Sequence, residues 1–212
     1  MPARIFVLAG VNGAGKSSVG GAALLQKKVD YFNPDLAARV VLDANPGLTA
    51  EEANARAWEF GRKGLEQALA QGLNFAFETT LGARTIPQML ADGARHGAQV
   101  HLWYAGLASP EHHAARVQGR VAAGGHDIPE AKIRERYETS RSNLIRLLPL
   151  LASLRVYDNS AEGDPKAGRK PQPRLLLHME NGQVVGHVAL DQVPQWAKPI
   201  MAAALMHPRR AG

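Results

Sequence analysis

Gly10-Val11-Asn12-Gly13-Ala14-Gly15-Lys16-Ser17 is a complete G-x4-G-K-S phosphate-binding loop, standing directly behind the apolar run Ile5-Phe6-Val7-Leu8-Ala9. The order decides the fold. A buried strand runs into a loop whose glycines leave backbone N–H groups open to phosphate oxygens. A helix expected to begin near Gly15 then points its positive dipole end at the same anion. Lys16 is placed to reach the β- and γ-phosphates, and the Ser17 hydroxyl to ligand Mg²⁺. With Ser18, these residues form the expected ATP contacts, so the sequence predicts a nucleoside triphosphate site.

Outward from the loop, the chain alternates strands and helices. Ser18 to Lys28 reads as a helix and Val29-Asp30-Tyr31-Phe32 as a short second strand. Asn33-Pro34-Asp35 then opens a helix from Pro34 to about Leu42, with proline where its missing N–H costs nothing. Thr49-Ala50-Glu51-Glu52 is a capping-box start for a longer helix to about Gln71. Asn74–Glu78 is a third strand, Arg84 to His96 a helix and Gln99–Tyr104 a further strand. Two helical segments, roughly 110–123 and 129–152, flank Gly124-Gly125-His126-Asp127. Leu154–Asp158 is the next strand. Residues 159–173 read as a Pro/Gly-rich loop. Leu175–Met179 and Val184–Leu190 pair as a hairpin through a type I′ turn at Asn181-Gly182, before a last helix at 193–206. The pattern predicts one α/β domain of residues 1–212, a P-loop NTPase-type three-layer sandwich. Its sheet is mostly parallel, with a helical lid at about 110–150 and a C-terminal hairpin and helix at about 174–206.

Composition narrows the function classes. The chain has no cysteine, which excludes a disulfide framework and a thiolate metal site. The N-terminal apolar run is too short for a signal peptide, and no stretch approaches the ~20 apolar residues of a membrane span. A cytoplasmic protein without membrane contact is expected. The formal charge of +6 is mainly arginine, but Asp127, Glu130, Glu135 and Glu138 interrupt the arginines between Arg116 and Arg155. That interleaving suits a polyanionic small ligand better than nucleic acid. The histidines, His112 and His113 included, lack metal-ligand spacing and read as surface or packing residues, while His126 reads as a phosphate contact or a turn residue. Trp58 and Trp103 read as core.

Among P-loop proteins, a transporter-type ATPase requires a Leu-Ser-Gly-Gly-Gln-like stretch and a strand ending in Asp-Glu. Here the strand at 99–104 runs into Tyr104-Ala105-Gly106. A GTPase requires Asn-Lys-x-Asp and Asp-x-x-Gly, and neither occurs. What remains is the layout of a small-molecule kinase: a P-loop, carboxylates on neighbouring strand ends, and an arginine-bearing helical excursion. Ligands in such sheets bind beyond the carboxyl ends of the strands, which groups the loop with Asn33, Asp35 and Glu78-Thr79-Thr80. Glu78 ends a buried strand, as a ligand for substrate or Mg²⁺-bound water or as a structural partner of an arginine. Thr79 and Thr80 fit either a substrate phosphate or a cap of the next helix. Arg116, Arg120, Arg134 and Arg136 carry the guanidinium groups that match a transferring phosphoryl group. Arg120 and Arg134 are the expected catalytic pair. Arg136 is the next candidate, since helical register decides which of Arg134 and Arg136 points inward.

The chain resembles the zeta-toxin family of P-loop kinases, in particular small bacterial members often labelled predicted ABC-type ATPases. The matching pieces stand in family order. They are Gly10–Ser17, Asn33-Pro34-Asp35-Leu36-Ala37 and Phe77-Glu78-Thr79-Thr80-Leu81. Arg116-Val117-x-x-Arg120-Val121-x-x-Gly124-Gly125-His126-x-Ile128-Pro129 comes next. Ile133-Arg134-x-Arg136-Tyr137-x-x-Ser140-x-x-Asn143-Leu144 and Val156–Ser160 complete the set, covering about residues 3–160. Where the family often has arginine, this chain has Thr139. The resemblance implies ATP- and Mg²⁺-dependent phosphorylation of a hydroxyl, carried out by the toxins on the amino sugar of UDP-N-acetylglucosamine. It implies that Asp35 orients the acceptor hydroxyl and takes its proton, against the alternative of a helix-capping aspartate. Asn33, Glu78, Thr79 and Thr80 would bind substrate. An antitoxin-like inhibitory protein over the ATP site is a further expectation. Two other readings stay open: a nucleotide or nucleoside kinase, and an ATP-dependent nucleic-acid or protein interaction module.

Overall fold

The structure is a computed structural model that describes residues 1–20, 31–122, 127–161 and 172–206. Six strands form one sheet in the order β2-β1-β3-β4-β5-β6. β1 (Arg4–Ala9) lies between β2 (Phe75–Thr79) and β3 (Gln99–Gly106), parallel to both. β4 (Ser153–Asp158) is parallel to β3, whereas β5 (Arg174–Glu180) and β6 (Gln183–His187) extend the sheet antiparallel.

The apolar run that opens the chain is explained by burial on both faces. Ile5, Val7 and Ala9 join the larger core cluster, while Phe6 and Leu8 join a second cluster with Ala76 and Trp103. Alternate side chains of one strand therefore serve opposite layers. Helix α1 begins at Lys16 and is described over residues 16–20. It packs so close to the second face that a Cβ on Gly20 would sit 1.9 Å from Leu8 Cδ2. Helices α4 (Thr85–Arg95), α6 (Glu130–Leu147) and α7 (Lys198–Met206) supply Leu90, Leu144 and Ile200 to the larger cluster.

Local signals fixed several ends. α2 (Pro34–Ala44) starts behind Asn33, whose Oδ1 accepts from the Asp35 and Leu36 N–H groups at 2.9 and 3.2 Å. α3 (Ala50–Gln71) carries the complete Thr49–Glu52 capping box and stops at Gly72, with φ of 68°. Asn181 and Gly182 have φ of 50° and 76°, the two positive angles that a type I′ turn requires.

Other expectations shift. The predicted strand at 29–32 is reduced, within the described residues, to one bridge between Phe32 and Phe77; Val29 and Asp30 lie outside them. The segment expected to be helical through 152 leaves the α conformation at Leu147. It closes with a 3-10 turn at Leu148–Leu150, because Pro149 has no N–H for a longer ladder. β6 ends at His187, and the last helix is split into a 3-10 turn at Gln195–Ala197 followed by α7. Trp103 is buried, but Trp58 is 44% exposed rather than core. Gly124, Gly125 and His126, the last read above as a phosphate contact or turn residue, lie outside the described residues. No helix among the described residues is long and apolar enough to cross a membrane.

Candidate active site

The phosphate loop leaves β1 through Gly10, at φ of +143°, where a Cβ would lie 2.3 Å from the Ala105 carbonyl oxygen. Any side chain there would push β1 and β3 apart. Gly15, at φ of +76°, faces Asn159 Nδ2 at 2.4 Å from its would-be Cβ, and that same amide donates to the Ala14 carbonyl at 2.8 Å. Val11 and Ala14 are buried, so they serve the loop through their backbones. Ser18 donates its N–H to the Gly15 carbonyl at 3.0 Å, opening the first turn of α1.

Asn12 ties the loop to two more helices. Its carbonyl accepts from His113 Nδ1 at 2.8 Å, on α5 (Pro110–Ala122). The proton is therefore on Nδ1 of the neutral ring, and burial pushes the His113 pKa down to about 4. Its side-chain Oδ1 accepts from Arg136 Nη1 at 2.8 Å, on α6. Sequence reasoning assigned neither residue this linking role. The available signal was His113 sharing the buried face of α5 with Val117, four residues on.

Ser17 and Glu78 meet. The serine hydroxyl donates to Glu78 Oε1 at 2.9 Å, and the glutamate is only 8% exposed at the end of β2. Its backbone is pinned in turn, since the Glu78 N–H donates to the Phe32 carbonyl at 2.9 Å. A hydroxyl and a carboxylate side by side suit Mg²⁺, a hard cation that takes one or two protein oxygens and completes its shell with phosphates and water. No cluster of three or more acidic or histidine ligands occurs among the described residues, so an ion held here would depend on the nucleotide. Lys16 lines both cavities together with Glu78 and Asp35. Burial lowers its pKa, and those two negative charges, Glu78 the more strongly, oppose the shift.

The Asp35 carboxylate is not the cap of α2, because Asn33 does that work. It lies instead on the cavity, with Arg120 Nη1 3.4 Å from its Oδ2. The same observation gives Asn33 Oδ1 a helix-capping task, and Asn33, expected to bind substrate, lines both cavities. Thr79 and Thr80 line the cleft too, and their hydroxyls accept from the Leu81 and Gly82 N–H groups at 3.1 and 3.4 Å. They shape a turn in which Leu81 holds φ of 57°. α6 clamps that turn: Ser140 donates to the Thr80 carbonyl at 2.6 Å, and Asn143 Nδ2 donates to the Leu81 and Ala83 carbonyls at 2.7 and 3.1 Å. With its proton committed, Ser140 accepts from the Tyr104 hydroxyl at 3.0 Å, and burial pushes that phenol up to about 12.

The arginines separate by register. Arg134 and Arg136 stand two positions apart, near opposite faces of one helix. Arg136 faces the cleft, where desolvation lowers its pKa. Arg134, an expected catalytic residue, faces away: its guanidinium pairs at 2.7 Å with both Glu111 and Glu130. Those pairs fasten the start of α6 to the start of α5. Arg120 lies with Asp35, and Arg116 lines the phosphate-loop cavity with Nη2 3.4 Å from the Ala161 carbonyl.

Two cavities meet at this point. One, of about 670 Å³, is walled by Gly13, Gly15, Ser17, Ser18, Arg116 and Arg120. The other, of about 610 Å³, is walled by Trp58, Phe77, Thr79, Thr80, Ile86 and Arg136. Lys16, Asn33, Asp35, Asn54 and Glu78 border both.

Comparison with known proteins agrees with this architecture. The AAA domain family (AAA_33) matches residues 5–141, and the chain belongs to that family. An uncharacterized protein of Haemophilus influenzae is 31% identical over 143 residues, 65% of this chain and 94% of that protein. Among solved structures, the AvrRxo1-ORF1:AvrRxo1-ORF2 complex with sulphate ions superposes with a TM-score of 0.64 at 16% identity, over 96% of this chain. The same complex with ATP gives 0.61 at 14% identity, over 100% of this chain. The chain spans 64% and 66% of those two solved chains. The PezAT chromosomal toxin–antitoxin system of Streptococcus pneumoniae gives 0.52 at 15% identity, over 74% of this chain and 68% of that one. These likenesses share a P-loop kinase-like fold with the chain.

Proposed function

We propose that this AAA-domain chain is an ATP-dependent phosphotransferase that moves the γ-phosphoryl group of ATP to a hydroxyl of a small molecule, as the zeta-toxin resemblance implies. The observation that carries the reading is the junction of the two cavities at Lys16, Asp35 and Glu78. A donor and an acceptor in separate compartments would touch only there, and a transferring group needs just such an in-line meeting.

Each residue then has a task. Backbone N–H groups of residues 13–18 and the Lys16 ammonium hold the triphosphate. Ser17 and Glu78 would hold Mg²⁺, which when bound would offset phosphate charge. The Asp35 carboxylate fixes the acceptor hydroxyl and takes its proton as the new O–P bond forms and the bond between Pγ and the bridging oxygen breaks, releasing ADP. Transfer through a loose transition state gains more from this orientation than from basicity. Arg120 and Arg136 gather the charge spread over the transferring oxygens. Arg134 is not among them.

The fold admits several acceptors, a UDP-amino-sugar, a nucleoside and a nucleotide included. An inhibitory protein partner over the ATP cleft is also part of the proposal. It is supported by fold neighbours solved as an ORF1:ORF2 complex and in a toxin–antitoxin system. The decisive experiment incubates the protein with γ-labelled ATP, Mg²⁺ and a panel of hydroxylated acceptors. Label should move to an acceptor in the wild type and not in Lys16→Ala. Equal transfer by a folded Lys16→Ala protein would overturn the reading.

A further inference from the structure

Resting on that phosphotransfer reading, we propose that the acceptor is a small polyhydroxyl compound that carries an amine and no phosphate. The acceptor cavity, about 610 Å³, matches a molecule of sugar or nucleoside size. Its inner end is occupied by the transfer chemistry of Lys16, Asp35, Glu78 and Arg136. The recognition surface is therefore the outer wall.

On that wall the cations are already engaged. Arg62 donates to both Glu59 oxygens at 2.8 and 2.7 Å and to Glu66 at 3.0 Å. Lys132 is paired with Glu135 at 2.9 Å. The carboxylates are in excess: Glu51 and Asp127 border the same cavity, and neither forms an ion pair among the described residues. A phosphate seated on that outer wall would have to dismantle existing pairs to find a guanidinium or ammonium partner, because Arg136, bonded to the Asn12 amide oxygen, stands at the inner end. An ammonium group would meet Glu51 and Asp127 with no ion pair among the described residues to displace.

Trp58 provides an independent argument. It borders this cavity and is 44% exposed, although a tryptophan with no task there would gain by burial. Its indole face attracts a cation and covers the C–H face of a sugar ring. Phe32, Phe77 and Ile86 continue the apolar side of the cavity. An aromatic face on one wall with carboxylates that form no ion pair among the described residues is what an aminated sugar needs, and this wall offers a diphosphate little.

The test compares kanamycin, as the amine-bearing probe, with UDP-N-acetylglucosamine and AMP, using the full chain with ATP and Mg²⁺. Kanamycin should exceed both in kcat/KM by about tenfold or more, as expected from two carboxylates and one cation–π contact. Glu51→Lys should raise the KM for kanamycin at least about threefold and leave kcat unchanged, with Glu51→Gln giving a smaller change in the same direction. Binding should quench tryptophan fluorescence in the wild type and not in Trp58→Phe. Preference for UDP-N-acetylglucosamine or AMP, or an unchanged kanamycin KM in both folded Glu51 variants, would overturn this inference and leave the phosphotransferase reading standing. If no acceptor takes label, both fall together.

Discussion

The phosphate loop and the α5–α6 pair bring charge to the same point by different means. In the loop, position in the chain dictates placement: eight consecutive residues set backbone N–H groups, an ammonium and a hydroxyl at the end of β1. In α5 and α6, neighbouring arginines have opposite fates. Arg136 reaches Asn12 across the cleft, while Arg134 is consumed by Glu111 and Glu130. Local sequence therefore fixes function where the backbone is the ligand. Where long side chains are the ligands, packing decides.

The largest expected effect tests the loop side of this contrast. Lys16→Ala should lower phosphotransfer by about 10³-fold, the upper range for removing one preorganised electrostatic contact, with the fold intact by circular dichroism. A residual rate near wild type would mean that the loop merely resembles a nucleotide site. Next comes Asp35→Asn, which keeps size and removes charge. It should lower kcat about 10²-fold while the KM for ATP holds. Full activity would make Asp35 a bystander of Arg120.

The contrast within α6 is sharper and smaller. Arg136→Ala should reduce kcat by about tenfold or more, whereas Arg134→Ala should stay within about twofold, because it loses only exposed ion pairs. Steady-state kinetics of the two variants side by side decide it, and the reverse ranking would mean that α6 rotates when nucleotide binds.

The smallest effect on turnover at neutral pH concerns stability. The folded pKa of His113 is about 4 against an ordinary 6.5, so between those values the unfolded chain binds more protons. Stability is complete above about pH 6.5 and is lost as pH falls toward 4, by about 2 kcal/mol between pH 7 and 5. Urea denaturation at both pH values measures the loss, and His113→Gln should flatten the difference. An equal pH dependence in wild type and variant would place the titration elsewhere.

The sheet, the glycine loop, the Thr49 cap and the Asn181-Gly182 turn were legible because each rests on a short-range rule of backbone geometry. Asn33 was legible as a chemistry-bearing residue but not as the cap of α2. That distinction depends on which of two nearby side chains, Asn33 or Asp35, turns toward the open N–H groups. Glu78 was offered to substrate, to Mg²⁺-bound water or to an arginine, and the structure brings it to Ser17. Thr79 and Thr80, expected to bind a substrate phosphate or cap the next helix, line the cleft while their hydroxyls shape the turn that Ser140 and Asn143 clamp. Trp58 looked like core because hydrophobicity alone cannot distinguish a packed indole from one lining an open cavity. Long-range pairing also hid the strand limits: Phe32 bridges Phe77, but its described neighbours do not extend the ladder.

Asn12 carries a consequence of another kind. One residue of the phosphate loop is gripped twice, by α5 through its carbonyl and by α6 through its amide oxygen. Free energy shared through such a joint obeys reciprocity: whatever order the helix pair confers on the loop, the loop confers on the helix pair. A nucleotide that tightens residues 10–17 must then also slow hydrogen exchange in α5 and α6, including positions it never touches. Loss of the Asn12 side chain should weaken that coupling at α6, while α5 stays joined to the loop through the Asn12 carbonyl.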